Sequence, residues 1–280
     1  MTATEHATLP DTDIAFIGGG NMARSLIAGL VRRGMPASRI HVAEPVAELR
    51  QALQRDFDIT PHADAEAAAR QAGLWVMAVK PQVMRSVCTA LAAHTAGQPL
   101  VVSIAAGITG AQLDRWLGGG QAIVRAMPNT PALLGAGVTG LFANAQVSQE
   151  QRKQAEQVLA SAGRTVWIAS EDKMDAVTAV SGSGPAYVFL LAEAMEAAAI
   201  EQGLPADAAR TLVLDTVLGA ARMLTEAGEA PAELRRRVTS PGGTTQAAIE
   251  TFQAGGFEAL TARAIAAAAR RGGELSAAND

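Results

Sequence analysis

Three consecutive glycines, Gly18-Gly19-Gly20, run into Asn21-Met22-Ala23. The spacing Gly18-x-Gly20-x-x-Ala23 fits a dinucleotide turn. The first glycine makes the bend, the second admits a pyrophosphate to the backbone, and the small third residue permits close helix–strand packing. Unpaired N–H groups at the start of the following helix then face the phosphates. Glu44, about twenty-odd residues further on and at the end of a strand pattern, is a candidate acceptor for the adenosine ribose hydroxyls; its alternative is a solvated loop acid. A second constellation, Ser240-Pro241-Gly242-Gly243-Thr244-Thr245, opens onto a helical pattern and offers backbone N–H groups and hydroxyls to an anion as small as one carboxylate. A capped helix–helix loop is the competing reading of those six residues.

The elements that must position these groups change character along the chain. Ile14-Ala15-Phe16-Ile17 reads as a strand, Met22 to Val31 as an apolar-faced helix, and Ile40 to Glu44 as a second strand. A short strand is expected at Asp58-Ile59-Thr60. Leu74 to Val79 and Leu100 to Ile104 are continuous apolar runs, as parallel strands covered on both faces should be. The first ends at Lys80-Pro81-Gln82, where Lys80 is either a ligand contact or a snorkelling surface residue. The second ends at Ala105-Ala106-Gly107. Ala122 to Ala126 leads into Met127-Pro128-Asn129-Thr130-Pro131, where two prolines fix the backbone around Asn129. Gly135 to Phe142, a helix from Ser148 and a strand at Thr165 to Ile168 complete a pattern of strands alternating with helices, which predicts a doubly wound parallel sheet, a Rossmann-like α/β fold. Beyond Ala169 only helical patterns remain, punctuated by Ser181 to Pro185, Gly203 to Pro205, Gly228 to Pro231, Ser240 to Gly243 and Gly255-Gly256. The expected division is a dinucleotide-binding domain over 1–169 and an all-helical dimerisation and substrate-binding domain over 170–280. Two helices, around Val188 to Ile200 and Thr211 to Leu224, are apolar on more than one stripe and call for burial against a second copy.

Composition narrows the function classes. With a net charge of −4 over 280 residues and three lysines, no basic stripe points to nucleic acid. The start, Met1 to Asp13, has neither a basic nor an apolar region of a signal peptide and reads as a short disordered lead. The longest apolar helical run carries Glu193 and Glu196 and falls short of the roughly 20 residues that span a bilayer, so no membrane partner is expected. A single cysteine, Cys88, suits a reducing cytoplasm and reads as a core residue. No metal ligand is assigned.

Five segments together resemble the pyrroline-5-carboxylate reductase family: Ile17 to Ala23, Val79-Lys80-Pro81-Gln82, Met127 to Pro131, Val180 to Tyr187, and Val238 to Thr245. The resemblance implies a Rossmann domain, a helical domain interlocked with a second subunit in a homodimer or a ring of dimers, and reduction of the cyclic imine 1-pyrroline-5-carboxylate to L-proline by NADPH or NADH, the last step of proline biosynthesis. Carried residue by residue, the family's cofactor contacts fall on Gly18, Gly20, Asn21, Met22, Ala78, Val79, Lys80, Pro81 and Ala105. Glu44 and Asn129 join the candidate cofactor set. Substrate contacts fall on Ser240, Gly243, Thr244 and Thr245, with Glu171 at a position close to the same pocket and so in the candidate substrate set; Thr245 is the expected catalytic residue. Two positions depart from the pattern: members often carry a small polar residue in place of Glu44, and Asn in place of Asp64.

What the helical half lacks also discriminates. Reducing a ketone leaves an alkoxide that needs a proton donor, usually His, Lys or Tyr. All four histidines precede the last strands, and the one tyrosine, Tyr187, has Leu191 rather than Lys four residues on. A protonated imine is already electrophilic and becomes a neutral amine, so a positioned hydroxyl suffices. Another imine or hydroxyacid reductase of the same architecture is the alternative enzyme, and a dinucleotide-sensing module the non-catalytic one; the latter needs no anion site.

Overall fold

The computed structural model describes residues 9–279. Eight strands form one sheet: β1 (Ile14–Ile17), β2 (Ile40–Ala43), β3 (Thr60–His62), β4 (Leu74–Met77), β5 (Leu100–Ser103), β6 (Ile123–Met127), β7 (Gly137–Ala143) and β8 (Gly163–Trp167). Their order is β3-β2-β1-β4-β5-β6-β7-β8. Between them lie α1 (Asn21–Arg32), α2 (Ala47–Phe57), α3 (Ala65–Ala69), α4 (Pro81–Leu91), α5 (Gly110–Trp116) and α6 (Gln149–Leu159). The central strands are apolar throughout because both faces are covered. Ile14 and Phe16 of β1 enter one core with Leu26, Leu30 and Val42, while Ala15 and Ile17 enter the other with Trp75, Met77 and Met84.

Three local expectations change. The third strand starts at Thr60 rather than Asp58, because Asp58 adopts the left-handed conformation (φ 55°) that closes α2. The expected all-parallel sheet contains one antiparallel pair, β6 with β7. The link from Pro128 to Ala136 is shorter than the dozen or so residues a parallel crossover needs, so the chain turns back on itself. Of the lead expected to lack structure, residues 1–8 lie outside the described residues, whereas Leu9 packs on the core and Asp13 receives a 2.9 Å bond from Arg39 Nε.

After β8 the described residues contain no further strand. α7 (Met174–Val177) runs into a π-turn at Thr178–Gly182 and then α8 (Gly184–Glu201), so the Ser181 to Pro185 stretch, read as punctuation, is helical. The Ser183 N–H donates to Thr178 O at 2.8 Å, a five-residue step that marks the π-turn. α9 (Ala206–Glu226), α10 (Pro231–Arg237), α11 (Thr244–Ala254) and α12 (Phe257–Ala278) follow. The chain divides into two compact units: one runs to Ser183 and is rejoined by the stretch from Ala267, and the other is Gly184–Ala266. The second unit is helical and nearly coreless. α8 buries none of its side chains and α9 only Ala209 and Val213, while Phe189, Leu190 and Leu218 are 61–65% exposed. Among the described residues no helix is long and apolar enough to cross a membrane.

Candidate active site

One row of the sheet builds the nucleotide end. Ala43, Ile17, Met77, Ser103 and Arg125 are register partners across β2, β1, β4, β5 and β6. The residues that leave those strands, Glu44, Gly18, Ala78 and Ile104-Ala105, therefore emerge along one carboxyl edge, where ligands of open α/β sheets bind. The Gly18 N–H donates to Ala43 O (2.9 Å) and the Ala78 N–H to Ile17 O (2.8 Å). Gly18 sits at φ 107°, and a Cβ there would lie 2.7 Å from Ala78 O, so neither the conformation nor the space admits another residue. At Gly20, by contrast, a Cβ would meet nothing within 4 Å. Gly20 is the N-cap of α1 and no side chain caps that end, which leaves the first-turn N–H groups of Asn21, Met22 and Ala23 open. An open backbone approach above an uncapped helix start fits a pyrophosphate.

Glu44 is buried, 7% exposed. Its carboxylate accepts the Gly19 N–H (3.2 Å) on one oxygen and the Val46 N–H (3.0 Å) on the other, so it braces the glycine turn from the β2 side. Lys80 is exposed and caps α4, with Pro81 at the first helical position. Asn129 is buried with both ends of its amide engaged: Nδ2 donates to Ser181 O (3.1 Å) and Oδ1 accepts the Val138 N–H (2.9 Å). It ties the end of β6 to β7 and to the π-turn.

Glu171 is brought to Arg125 and α5. Its Oε1 accepts from Arg125 Nη1 (2.9 Å) and from the Gly110 N–H (2.6 Å). Arg125, a cation in an otherwise apolar strand, was passed over in the sequence; a charge inside a buried run is the signal that finds it. Next to this pair, Gln112 closes a capping box with Thr109 and donates to Ser276 O (3.0 Å), and Asn279 Nδ2 donates to Gly107 O (3.1 Å). The loop that follows Ala105 is thereby fastened from both sides.

In the helical unit, Ser240 to Gly243 form a turn in which the Gly243 N–H donates to Ser240 O at 3.0 Å. Pro241 and Gly242 (φ 69°) take the two central places that a type II turn assigns to proline and glycine. Gln246 Oε1 accepts the Gly242 N–H (2.7 Å), which stiffens the turn. Gly243 is the N-cap of α11 without a side-chain cap. The N–H groups of Thr244 and Thr245, and both hydroxyls, make no hydrogen bond among the described residues, so the helix start presents open donors and the positive end of its dipole. Thr245 is half-buried and Thr244 exposed. Lys173 pairs with Asp172 at 2.8 Å, and that carboxylate raises its pKa, so the ammonium keeps its proton.

A sequence-family model described as pyrroline-5-carboxylate reductase dimerisation matches residues 171–275, and one described as NADP oxidoreductase, coenzyme F420-dependent, matches residues 13–107. The pyrroline-5-carboxylate reductase of Pseudomonas aeruginosa is 53% identical over 94% of this chain and 96% of its own length. That of Haemophilus influenzae is 44% identical over 94% and 97%. The solved structure of the Coxiella burnetii enzyme has a TM-score of 0.91 at 41% identity, covering 95% of this chain and 98% of that one. The Plasmodium falciparum enzyme, solved with NADP bound, has a TM-score of 0.84 at 27% identity over 96% and 100%. The matched dimerisation region contains the exposed faces of α8 and α9 and accounts for them by self-association. This chain belongs to the pyrroline-5-carboxylate reductase family, NAD(P)H-dependent oxidoreductases that convert 1-pyrroline-5-carboxylate to L-proline.

Proposed function

We propose that Gly18, Gly20, Asn21, Met22, the Ala78 to Pro81 turn and Ala105 hold the dinucleotide, and that Ser240, Gly243, Thr244 and Thr245 hold 1-pyrroline-5-carboxylate as it is reduced to L-proline. The observation that carries this reading is the pair of uncapped helix starts, α1 behind Gly20 and α11 behind Gly243. Each is a preorganised donor set for an anion. The first suits a pyrophosphate and the second a single carboxylate. When bound, the reduced nicotinamide supplies the hydride that the imine carbon receives.

The chain's own contribution is positioning. The N–H groups of Thr244 and Thr245 take the substrate carboxylate, with the Ser240 hydroxyl on the same turn. The Thr245 hydroxyl bonds the ring nitrogen and fixes the face offered to the hydride, which lowers the barrier by orientation. Thr is a poor acid at neutral pH, so the proton comes with the iminium or from water. Glu171 and Asn129 act as braces of the sheet end, through Arg125 and Gly110 and through Ser181 and Val138.

A functional division near Ala169 is supported by the dimerisation family model, which starts at residue 171, although the compact units divide after Ser183. The helical region assembles as a homodimer, alone or as a ring of dimers, because α8 and α9 have no other cover for their apolar faces. A cytoplasmic site of action agrees with one buried, unpaired cysteine. The test follows nicotinamide absorbance with racemic pyrroline-5-carboxylate, using NADH and NADPH in parallel. Oxidation coupled to proline formation is expected. Oxidation with a ketone acid but not with the imine would overturn the assignment.

A further inference from the structure

We propose that Arg50, anchored beside Glu44, is the residue of this chain that reads the 2′-phosphate of NADPH. The inference rests on the dinucleotide site proposed above.

The residue after the second strand of such a sheet faces the adenosine ribose; an acid there favours the free 2′-hydroxyl of NADH, and a nearby arginine accommodates the 2′-phosphate of NADPH. This chain has both. Glu44 follows β2, in register with the glycine turn, and its two oxygens already accept the Gly19 and Val46 N–H groups. Two backbone donors partly neutralise the carboxylate and turn it inward. Its capacity to repel an added phosphate is reduced, while its remaining lone pairs still serve a ribose hydroxyl.

Arg50, in the first turn of α2, is anchored to the same peptide. Its Nη1 donates to Glu44 O (2.8 Å) and Pro45 O (2.7 Å). Those bonds use one nitrogen of the guanidinium and hold the group at the ribose end of the turn. Nε and Nη2 make no hydrogen bond among the described residues, so two further N–H donors of a planar fork are left at the place a 2′-phosphate would reach. Preorganisation by two backbone carbonyls removes much of the side-chain entropy that a free surface arginine loses on binding an anion. Val46 and Leu49, each 46% exposed, flank it without adding a competing charge.

Arg50 also steadies the β2–α2 turn, so its test needs a readout that a merely structural role would not move. Binding of adenosine 2′,5′-bisphosphate and of adenosine 5′-monophosphate to the full-length protein, measured by calorimetry, provides one that is independent of imine reduction. The wild type is expected to bind the bisphosphate at least as tightly as the monophosphate. Arg50→Met should weaken the bisphosphate by roughly tenfold to a hundredfold, the size of a lost charge-assisted contact, and leave the monophosphate within about twofold. kcat/KM for NADPH should fall in step while that for NADH holds, and Arg50→Lys should recover part of the loss. Equal weakening of both nucleotides, or a wild type that binds only the monophosphate, would overturn the assignment. Loss of both nucleotides in the wild type would refute the underlying dinucleotide site and this proposal with it; pyrroline-5-carboxylate turnover with NADH alone would refute this proposal and leave that site standing.

Discussion

The Arg125–Glu171 pair predicts an asymmetric response to removal of either partner. The Arg125 side chain is 9% exposed and that of Glu171 30%. Glu171→Ala strands a buried guanidinium and also deprives the Gly110 N–H of its 2.6 Å acceptor. Breaking a buried pair from one side costs about 3–5 kcal/mol. Water reaching the third of Glu171 that is exposed reduces that to about 2–3, and the lost Gly110 bond adds about 1 kcal/mol. Arg125→Met leaves behind a carboxylate that still holds Gly110 and already meets solvent, so about 1–2 kcal/mol is expected. Urea unfolding at one fixed subunit concentration should therefore rank the variants wild type, Arg125→Met, Glu171→Ala, with Glu171→Gln between the last two because it keeps an acceptor for Gly110. The KM for pyrroline-5-carboxylate in Glu171→Gln should stay within about threefold of wild type, less than the tenfold that 1.4 kcal/mol of lost substrate binding would give. A reversed stability order, or a large rise in KM with stability unchanged, would refute the bracing role and return Glu171 to the substrate.

Gly18→Ala forces a Cβ to 2.7 Å from Ala78 O at φ 107°, and should cost about 2–4 kcal/mol in stability together with most dinucleotide affinity, read by thermal unfolding and nucleotide titration. His62 is held below its ordinary pKa of 6.5, chiefly by burial and then by nearby His41, with Asp64 opposing. The unfolded chain thus takes up a proton that the folded chain resists: the stabilising contribution is present above about pH 6.5 and is lost as pH falls through the folded value, so wild-type Tm should fall on acidification by more than that of His62→Gln. The Cys88 thiol is pushed up to about 12 by burial in the core, so the native protein should resist alkylation at pH 8 and react only on unfolding; rapid labelling of the native state would contradict its placement.

The nucleotide half was legible because its chemistry is local. Gly18, Gly20 and Ala23 fix the turn by their own small size, and the apolar runs at Leu74 and Leu100 announce strands covered on both faces. Glu44 was legible as an acid at the end of the second strand, but its bonds to Gly19 and Val46 were not, since a carboxylate's partners depend on where α2 begins. Arg125 and Glu171 lie far apart in sequence, and nothing local ties a charge in β6 to an acid after β8. The reversal at β7 was written in the short link around Pro128 to Ala136, whose length mattered more than its motif. The π-turn at Thr178–Gly182 hid behind serines and glycines that elsewhere break helices; here a five-residue step and the Asn129 amide absorb them. The stretch from Ser240 to Thr245 was legible as a loop that offers N–H groups and hydroxyls at a helix start, whereas the bonds from the Gly243 N–H to Ser240 O and from the Gly242 N–H to Gln246 required the structure.

Thr245→Val tests the central claim most directly, because it keeps the shape of the α11 start and removes one hydroxyl. Pre-steady-state and steady-state reduction of pyrroline-5-carboxylate should be measured alongside NAD(P)H affinity by fluorescence titration. Loss of a contact to the ring nitrogen should lower kcat/KM by roughly tenfold to a hundredfold, the equivalent of about 1–3 kcal/mol, with dinucleotide affinity unchanged. Wild-type turnover in the variant, or a defect traced wholly to weaker NAD(P)H binding, would contradict the role of the Gly243 to Thr245 turn in holding the imine.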